Sequence, residues 1–490
     1  MNSAFSRGII KNTIITSFGQ IITILFLFVS SILLARFMPA KELGTFFLIM
    51  AVWMFLQMVG NLGLEATLVK YISSKIDGNK NDIFIKLLII RTISLITIAI
   101  IFYLVSLLFV IINETINQYS FLIILIFTLD SLRNFFNAEL QGSKKFRDLI
   151  LVQITQATAK IILYVSAIFF NHLTISYLLY IEILSIIISF IVQQFLTSIK
   201  LYPICKISFA EFKEVMRFSF PLYMNNLLGV FSNRINSIII ASFSNVVNVA
   251  FYEVGKKIPD GFSRLSSSLT MVFYPYISEL FSENNKEKAK QLIEKYINSI
   301  SLIAAPVILT SFIFRNEIII LLFSSKYSAS SLAFSLFTVS FYFGLTSTIL
   351  GYTLVAANKP TLSFNVNLSK TIIALILTLL FTPSMGFIGA VYSIFISSIL
   401  GWFFSFYALK TVQISLSPIK FMYPVLLTIP FISLTLYLQY ADSKTFFLSS
   451  IIILLFISVE YLMFNDFQKL VHYLHVQIKI RINLLLKKGN

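Results

Sequence analysis

Uninterrupted apolar runs constrain this chain more than any other feature. Breaking the sequence at its polar clusters gives about fourteen of them, at residues 12–35, 43–64, 84–112, 119–139, 149–170, 175–197, 217–243, 250–274, 292–314, 331–355, 361–381, 386–409, 421–440 and 445–464. A bilayer core about 30 Å thick is crossed by roughly 20 apolar helical residues, and every run meets that length. The runs are too long and too uniformly apolar for the roughly ten-residue alternation of barrel strands. The expected fold class is therefore an all-α polytopic membrane protein with about 14 transmembrane helices. Only 12% of the residues are charged, where a soluble domain carries about 25%. The first run is longer than a signal-peptide core and lacks a small-residue cleavage site, so it reads as an uncleaved span.

The net charge of +17 needs a location before it implies a partner. With the N-terminus placed in the cytoplasm, the inside loops hold Lys70, Lys75, Lys80 and Lys86, then Lys144, Lys145 and Arg147, then Lys200, Lys206, Lys213 and Arg217, then Lys286, Lys288, Lys290 and Lys295. The outside turns near Glu114, His172, Val247 and Ser384 carry neither Lys nor Arg. This is the positive-inside pattern, and it predicts a multi-pass protein of the bacterial cytoplasmic membrane with both termini inside. Arg36, Lys41, Arg315, Lys326 and Lys444 depart from it. Basic charge facing anionic lipid headgroups accounts for most of the excess, so membrane lipids are the expected partners and nucleic acid is not. One cysteine, Cys205, excludes a disulfide framework, and His172, His472 and His475 form no metal-ligand pattern, so neither metal nor cofactor is expected.

A short repeat divides the chain. Tyr71-Ile72-Ser73 followed by Asn79-Lys80 recurs as Tyr276-Ile277-Ser278 followed by Asn285-Lys286, each after the second span of a six-span unit. The expected organisation is an N-terminal lobe at 1–200, a cytoplasmic connector at 201–216, a C-terminal lobe at 217–411, two further spans at 412–466 and a tail at 467–490. Two such lobes related by an axis along the membrane normal would leave a substrate path between them. In the tail, Leu470, Val471, Leu474, Ile478, Ile482 and Leu485 recur at helical spacing with basic residues on other faces, the pattern of an interfacial helix.

Chemistry is expected where charge enters hydrocarbon, because charged side chains there face a bundle interior or a wet cavity. Span eight carries Glu253, Lys256, Lys257, Asp260 and Arg264. Lys256 and Arg264 each stand four residues from Asp260, and Glu253 four from Lys257, so local pairing leaves one net positive charge. Arg234, in span seven, has no sequence-local acid and is accompanied by Asn225, Asn226, Asn233 and Asn236. Such a cationic, amide-rich wall suits a pyrophosphate, with Arg giving bidentate contacts and Lys a point charge. An internal ion-pair network that only locks helices is the competing reading for Lys256 and Arg264. In the first lobe Asp130 and Arg133 are three apart and read as a structural pair, while Gln153, Gln156, Lys160 and Tyr164 form a polar stripe on span five. Glu182 of span six is the candidate partner of Lys160, in either a structural or an ion-coupling role. Asn12, Thr16, Gln20 and Thr23 line one face of span one, and Lys370 is alone in span eleven. Pro259, Pro275 and Pro306 are expected to bend spans eight and nine.

Several motifs carry a family resemblance: Ala35-Arg36-Phe37-Met38-Pro39 with Leu43-Gly44, Gln141-Gly142-Ser143-Lys144-Lys145-Phe146, Phe218-Ser219-Phe220-Pro221-Leu222, Phe251-Tyr252-Glu253-Val254-Gly255-Lys256-Lys257-Ile258-Pro259, Leu322-Phe323 with Lys326-Tyr327, and Pro383-Ser384-Met385-Gly386-Phe387-Ile388-Gly389-Ala390. In this order, over nearly the whole chain, they resemble the Wzx-type O-antigen and capsule flippases of the multidrug/oligosaccharidyl-lipid/polysaccharide (MOP) exporter superfamily. The resemblance implies two six-helix lobes plus two helices, a cationic lumen, and a basic residue at the position Lys256 matches. It implies as cargo an undecaprenyl-pyrophosphate-linked oligosaccharide, flipped by alternating access, and other polysaccharide-assembly membrane proteins as partners.

Three functions remain in competition. The first is that flippase. The second is a drug/cation antiporter of the same fold, but span one here lacks the acidic residues such relatives use for coupling. The third is a membrane-embedded glycan polymerase or glycosyltransferase, which a large outside loop or a metal-binding carboxylate cluster would accompany; the outside turns here are short. No Gly-x-x-x-x-Gly-Lys-Ser/Thr motif is present, so ATP is not the expected energy source.

Overall fold

A computed structural model describes residues 3–73, 80–108, 114–197, 234–441 and 445–464, together with single residues at 213, 216, 219, 223, 227 and 468. The expected connector and tail fall almost wholly outside these residues. The described elements are all helical: α1 (Ser3–Phe37), α2 (Ala40–Asn61), α3 (Leu64–Ser73), α4 (Lys80–Leu108), α5 (Glu114–Gln118), α6 (Ser120–Gly142), α7 (Phe146–Phe169), α8 (Ile175–Leu196), α9 (Arg234–Phe243), α10 (Val246–Ser282), α11 (Lys286–Ile313), α12 (Arg315–Phe323), α13 (Ser331–Ala356), α14 (Pro360–Met385), α15 (Phe387–Leu409), α16 (Pro418–Leu426), α17 (Thr428–Ala441) and α18 (Thr445–Met463). Among the described residues, eleven helices are long and apolar enough to cross a membrane. Every segment expected from the sequence overlaps a helix where it is described, although 43–64 runs past the end of α2 into α3 and 421–440 is divided between α16 and α17, and charges interrupt the apolar run in α10. The chain is an all-α polytopic membrane protein.

Local sequence sets where helices begin and end. Asn285 caps α11 by accepting from the Lys288 N–H at 3.1 Å, and Asn245 does the same for Asn248 at 2.9 Å as α10 opens, which satisfies otherwise orphaned donors. Leu62 and Gly63 take φ of 50° and 73°, which ends α2 and lets α3 start as a separate helix. Pro259 and Pro275 lie inside α10 and Pro306 inside α11 without terminating either helix. The Thr310 hydroxyl donates to the Pro306 carbonyl at 2.7 Å, within the turn that follows this proline.

The chain forms two compact units, one of residues 1–257, 322–327 and 375–390, the other of residues 258–321, 328–374 and 391–490. In the first, α1 packs on α7, α7 on α8, and α6 on α2, α3 and α8. Its aromatic centre is Phe84 against Phe135 and Phe136, with Phe190 edge-on to Phe136. At Gly44 α2 meets the start of α10 so closely that a Cβ there would sit 1.7 Å from the Val246 carbonyl oxygen. In the second unit α11 packs against α13, α16, α17 and α18. Trp402 is fully buried among Phe343, Phe403 and Phe406. The Tyr342 hydroxyl donates to the Phe421 carbonyl at 2.9 Å and bonds Ser301 Oγ at 2.9 Å. The repeated tripeptide enters both cores: Ile72 is buried in the first unit and Ile277 in the second.

Candidate functional site

Two polar clusters interrupt the apolar interior of the first unit. One joins α6, α7 and α8. On α6, Arg133 Nη2 and Nε lie 2.6 and 3.0 Å from Asp130 Oδ1, and the other carboxylate oxygen accepts from Gln57 Nε2 of α2 at 2.6 Å. Lys160 Nζ of α7 lies 2.5 Å from Glu182 Oε2 of α8, and Glu182 Oε1 accepts from the Tyr164 hydroxyl at 2.9 Å. All four charged residues are buried, the condition under which a pair must be closed and further hydrogen-bonded to be tolerated. Beside these pairs opens a recess of about 120 Å³, lined by Thr23 of α1, Arg133, Asn134 and Asn137 of α6, and Gln153, Gln156 and Lys160 of α7. The two cations line it; Asp130 and Glu182 do not.

The second cluster is built on α9 and α10 around Glu253, a buried carboxylate. Glu253 Oε1 accepts from Ser237 Oγ at 2.6 Å and stands 3.4 Å from Lys256 Nζ. Lys256, Lys257 and Arg234 all act electrostatically on it. Spacing alone joined Glu253 to Lys257 and left Arg234 without an acid; the fold makes Glu253 the common counter-ion, because α9 lies alongside α10. Of the three, Lys256 stands at ion-pair distance from it. Aromatic faces support the lysines, with Lys256 Nζ 5.0 Å from the Tyr252 ring centroid and Lys257 Nζ 4.6 Å from that of Phe47.

The remaining expected residues scatter. Asn236 is buried and its Oδ1 accepts from Thr378 Oγ1 at 3.1 Å. Gln20 is exposed, and Asp260 is exposed on the part of α10 that belongs to the second unit. Asn226 and Asn233, and the side chains of Asn12 and Arg264, lie outside the described residues. Sequence reading overlooked Gln57, Ser237, Asn134 and Asn137. A signal existed for two of them: Ser237 follows Arg234 by three residues and Asn137 follows Arg133 by four, hence on the same helical face.

These features define a polytopic helical membrane bundle with buried ion pairs and a cationic cluster among its helices. Solved structures share the fold. The lipid II flippase MurJ in an inward closed conformation matches with a TM-score of 0.71 at 16% identity, over 92% of this chain and 99% of that one. An inward-facing multidrug resistance MATE family transporter of the MOP superfamily matches with a TM-score of 0.64 at 15% identity, over 80% and 95% of the two chains. A MOP superfamily transporter from Pyrococcus furiosus gives 0.54 at 16% identity, over 83% and 96%. Among characterised sequences, the probable low-salt glycan biosynthesis flippase Agl15 of Haloferax volcanii is 22% identical over 185 residues, which span 38% of this chain and 39% of that protein. The family described as "Polysaccharide biosynthesis protein" matches residues 33–332. The chain belongs to that family.

Proposed function

We propose that the protein is a flippase that carries a polyprenyl-pyrophosphate-linked oligosaccharide, an O-antigen, capsule or exopolysaccharide repeat unit, across the bacterial cytoplasmic membrane by alternating access. The observation that carries this reading is the gathering of three cations, Arg234, Lys256 and Lys257, about the buried Glu253. A pyrophosphate head group accepts charge-assisted hydrogen bonds from such cations, bidentate from Arg and as a point charge from Lys. Membership of a polysaccharide biosynthesis family and the likeness to a glycan flippase support the same substrate class. In this reading residues 1–200 and 217–411 act as the two lobes, 201–216 as their cytoplasmic connector, 412–466 as an added helix pair and 467–490 as a membrane-surface tail. Arg264 adds to the cationic path, Lys160 lines it with its charge closed on Glu182, and Asn12, Gln20, Gln153, Gln156, Asn226 and Asn233 add to its polar lining. The glycan's other assembly enzymes are its expected neighbours.

A drug/cation antiporter is the second reading, favoured by the MATE neighbours and by the buried acids Asp130 and Glu182. Both acids are already closed on basic partners, which leaves neither free to exchange a cation. Reconstitution in liposomes separates the two. Transbilayer movement of a fluorescent polyprenyl-pyrophosphate-linked sugar supports the flippase; ion-driven drug uptake without lipid movement overturns it.

A further inference from the structure

The recess between α1, α6 and α7 differs in kind from the cationic cluster. Arg133 and Lys160 reach it with their charges each closed on an acid, Asp130 and Glu182, whereas around Glu253 three cations gather on one carboxylate. What it offers instead is amide groups. Among the described residues, Gln153 and Gln156 make no side-chain hydrogen bond, although both line the recess. Asn134 Oδ1 accepts from Arg133 at 3.0 Å and Asn137 Oδ1 from Gln193 at 2.8 Å, which leaves the Nδ2 donors of both asparagines for another partner. A free glutamine amide presents donor and acceptor together, which matches a hydroxyl group and mismatches an anion, because an anion only accepts. Leu27 and Ala157 add an apolar wall of the sort that covers the C–H face of a sugar ring.

We propose that this recess is a binding subsite for one uncharged sugar unit, read by Gln153, Gln156, Asn134 and Asn137. The assignment rests on the lipid-linked oligosaccharide reading above and divides the cargo chemically, with pyrophosphate at the Glu253 cluster and a neutral ring at the recess. The recess, about 120 Å³ and open on one side, is of the size to receive part of a sugar ring. Acidic sugars are disfavoured because the cations there are already neutralised.

Saturation-transfer NMR on the full-length protein in nanodiscs tests this with defined probes: methyl glycosides of neutral hexoses and N-acetylhexosamines, methyl glucuronide, and inorganic pyrophosphate. At least one neutral glycoside is expected to bind, and the double variant Gln153→Leu/Gln156→Leu to weaken it about tenfold, the equivalent of about 1.4 kcal/mol, with pyrophosphate binding unchanged. Gln156→Asn, which keeps the amide but withdraws it by one methylene, serves if the double variant does not fold, and it too is expected to weaken the glycoside. Failure of every neutral glycoside to bind, or equal binding by wild type and variants, overturns the subsite. Glucuronide binding that the Gln variants abolish also overturns it. Binding is read without transport, so the two proposals fail separately. Neutral glycoside binding by a protein that flips no lipid removes the flippase and keeps the site; flipping without glycoside binding does the reverse.

Discussion

Lys160 and Glu182 meet 2.5 Å apart between α7 and α8, with the Tyr164 hydroxyl closing the other carboxylate oxygen. Removing one member of such a pair strands a charge away from water. Lys160→Ala is therefore expected to destabilise the protein by about 3 to 5 kcal/mol, and Lys160→Met combined with Glu182→Met to recover most of that. Thermal unfolding of the purified variants decides it; a single variant as stable as wild type shows that the pair does not hold these helices.

Contact between α2 and α10 leaves no room for a side chain at Gly44, where a Cβ would stand 1.7 Å from a backbone oxygen. Gly44→Ala is expected to lower folded yield sharply. Gly261→Ala is the matched control on a helix, since nothing lies within 4 Å of the added Cβ. Detergent-solubilised yield by size exclusion reads both, and equal yields contradict the close approach.

In the second unit Tyr342 ties α13 to α11 and α16 through a single hydroxyl that is almost fully buried. Tyr342→Phe leaves the Phe421 carbonyl without this donor, a loss of about 1 to 3 kcal/mol for a buried polar group. A melting temperature unchanged from wild type is the contrary result.

Orientation is tested by reporter fusions. Fusions after Lys145 and Lys288 are expected to report cytoplasmic and one after Asn245 external, from the distribution of loop lysines. An external signal at Lys145 reverses the topology.

Fold class was legible in the sequence because hydrocarbon imposes one requirement on every crossing, and runs such as residues 175–197 of α8 meet it with little charge. Less visible was α3, because its separation from α2 depends on two consecutive left-handed residues, Leu62 and Gly63, rather than on polarity. Charges spaced along one helix were equally readable, as in Asp130 and Arg133. Partners contributed by another helix were not: nothing near Asp130 in sequence points to Gln57, 73 residues away. The same limit hid Glu253 from Arg234, since only the packing of α9 beside α10 brings the acid within electrostatic reach.

The gathering of cations around Glu253 is the centre of the functional reading, and Arg234 tests it most directly. Arg234→Gln keeps hydrogen-bonding capacity and removes the charge, so it should forfeit roughly 1.5 to 3 kcal/mol of contact to a pyrophosphate, about a ten- to hundredfold loss. Polymer export by this variant, measured at matched protein level in a strain lacking its own flippase, is expected to fall by that factor, with Lys256→Gln impaired and Lys256→Arg largely active. Export by Arg234→Gln at the wild-type rate would contradict the assignment of this cluster to the head group.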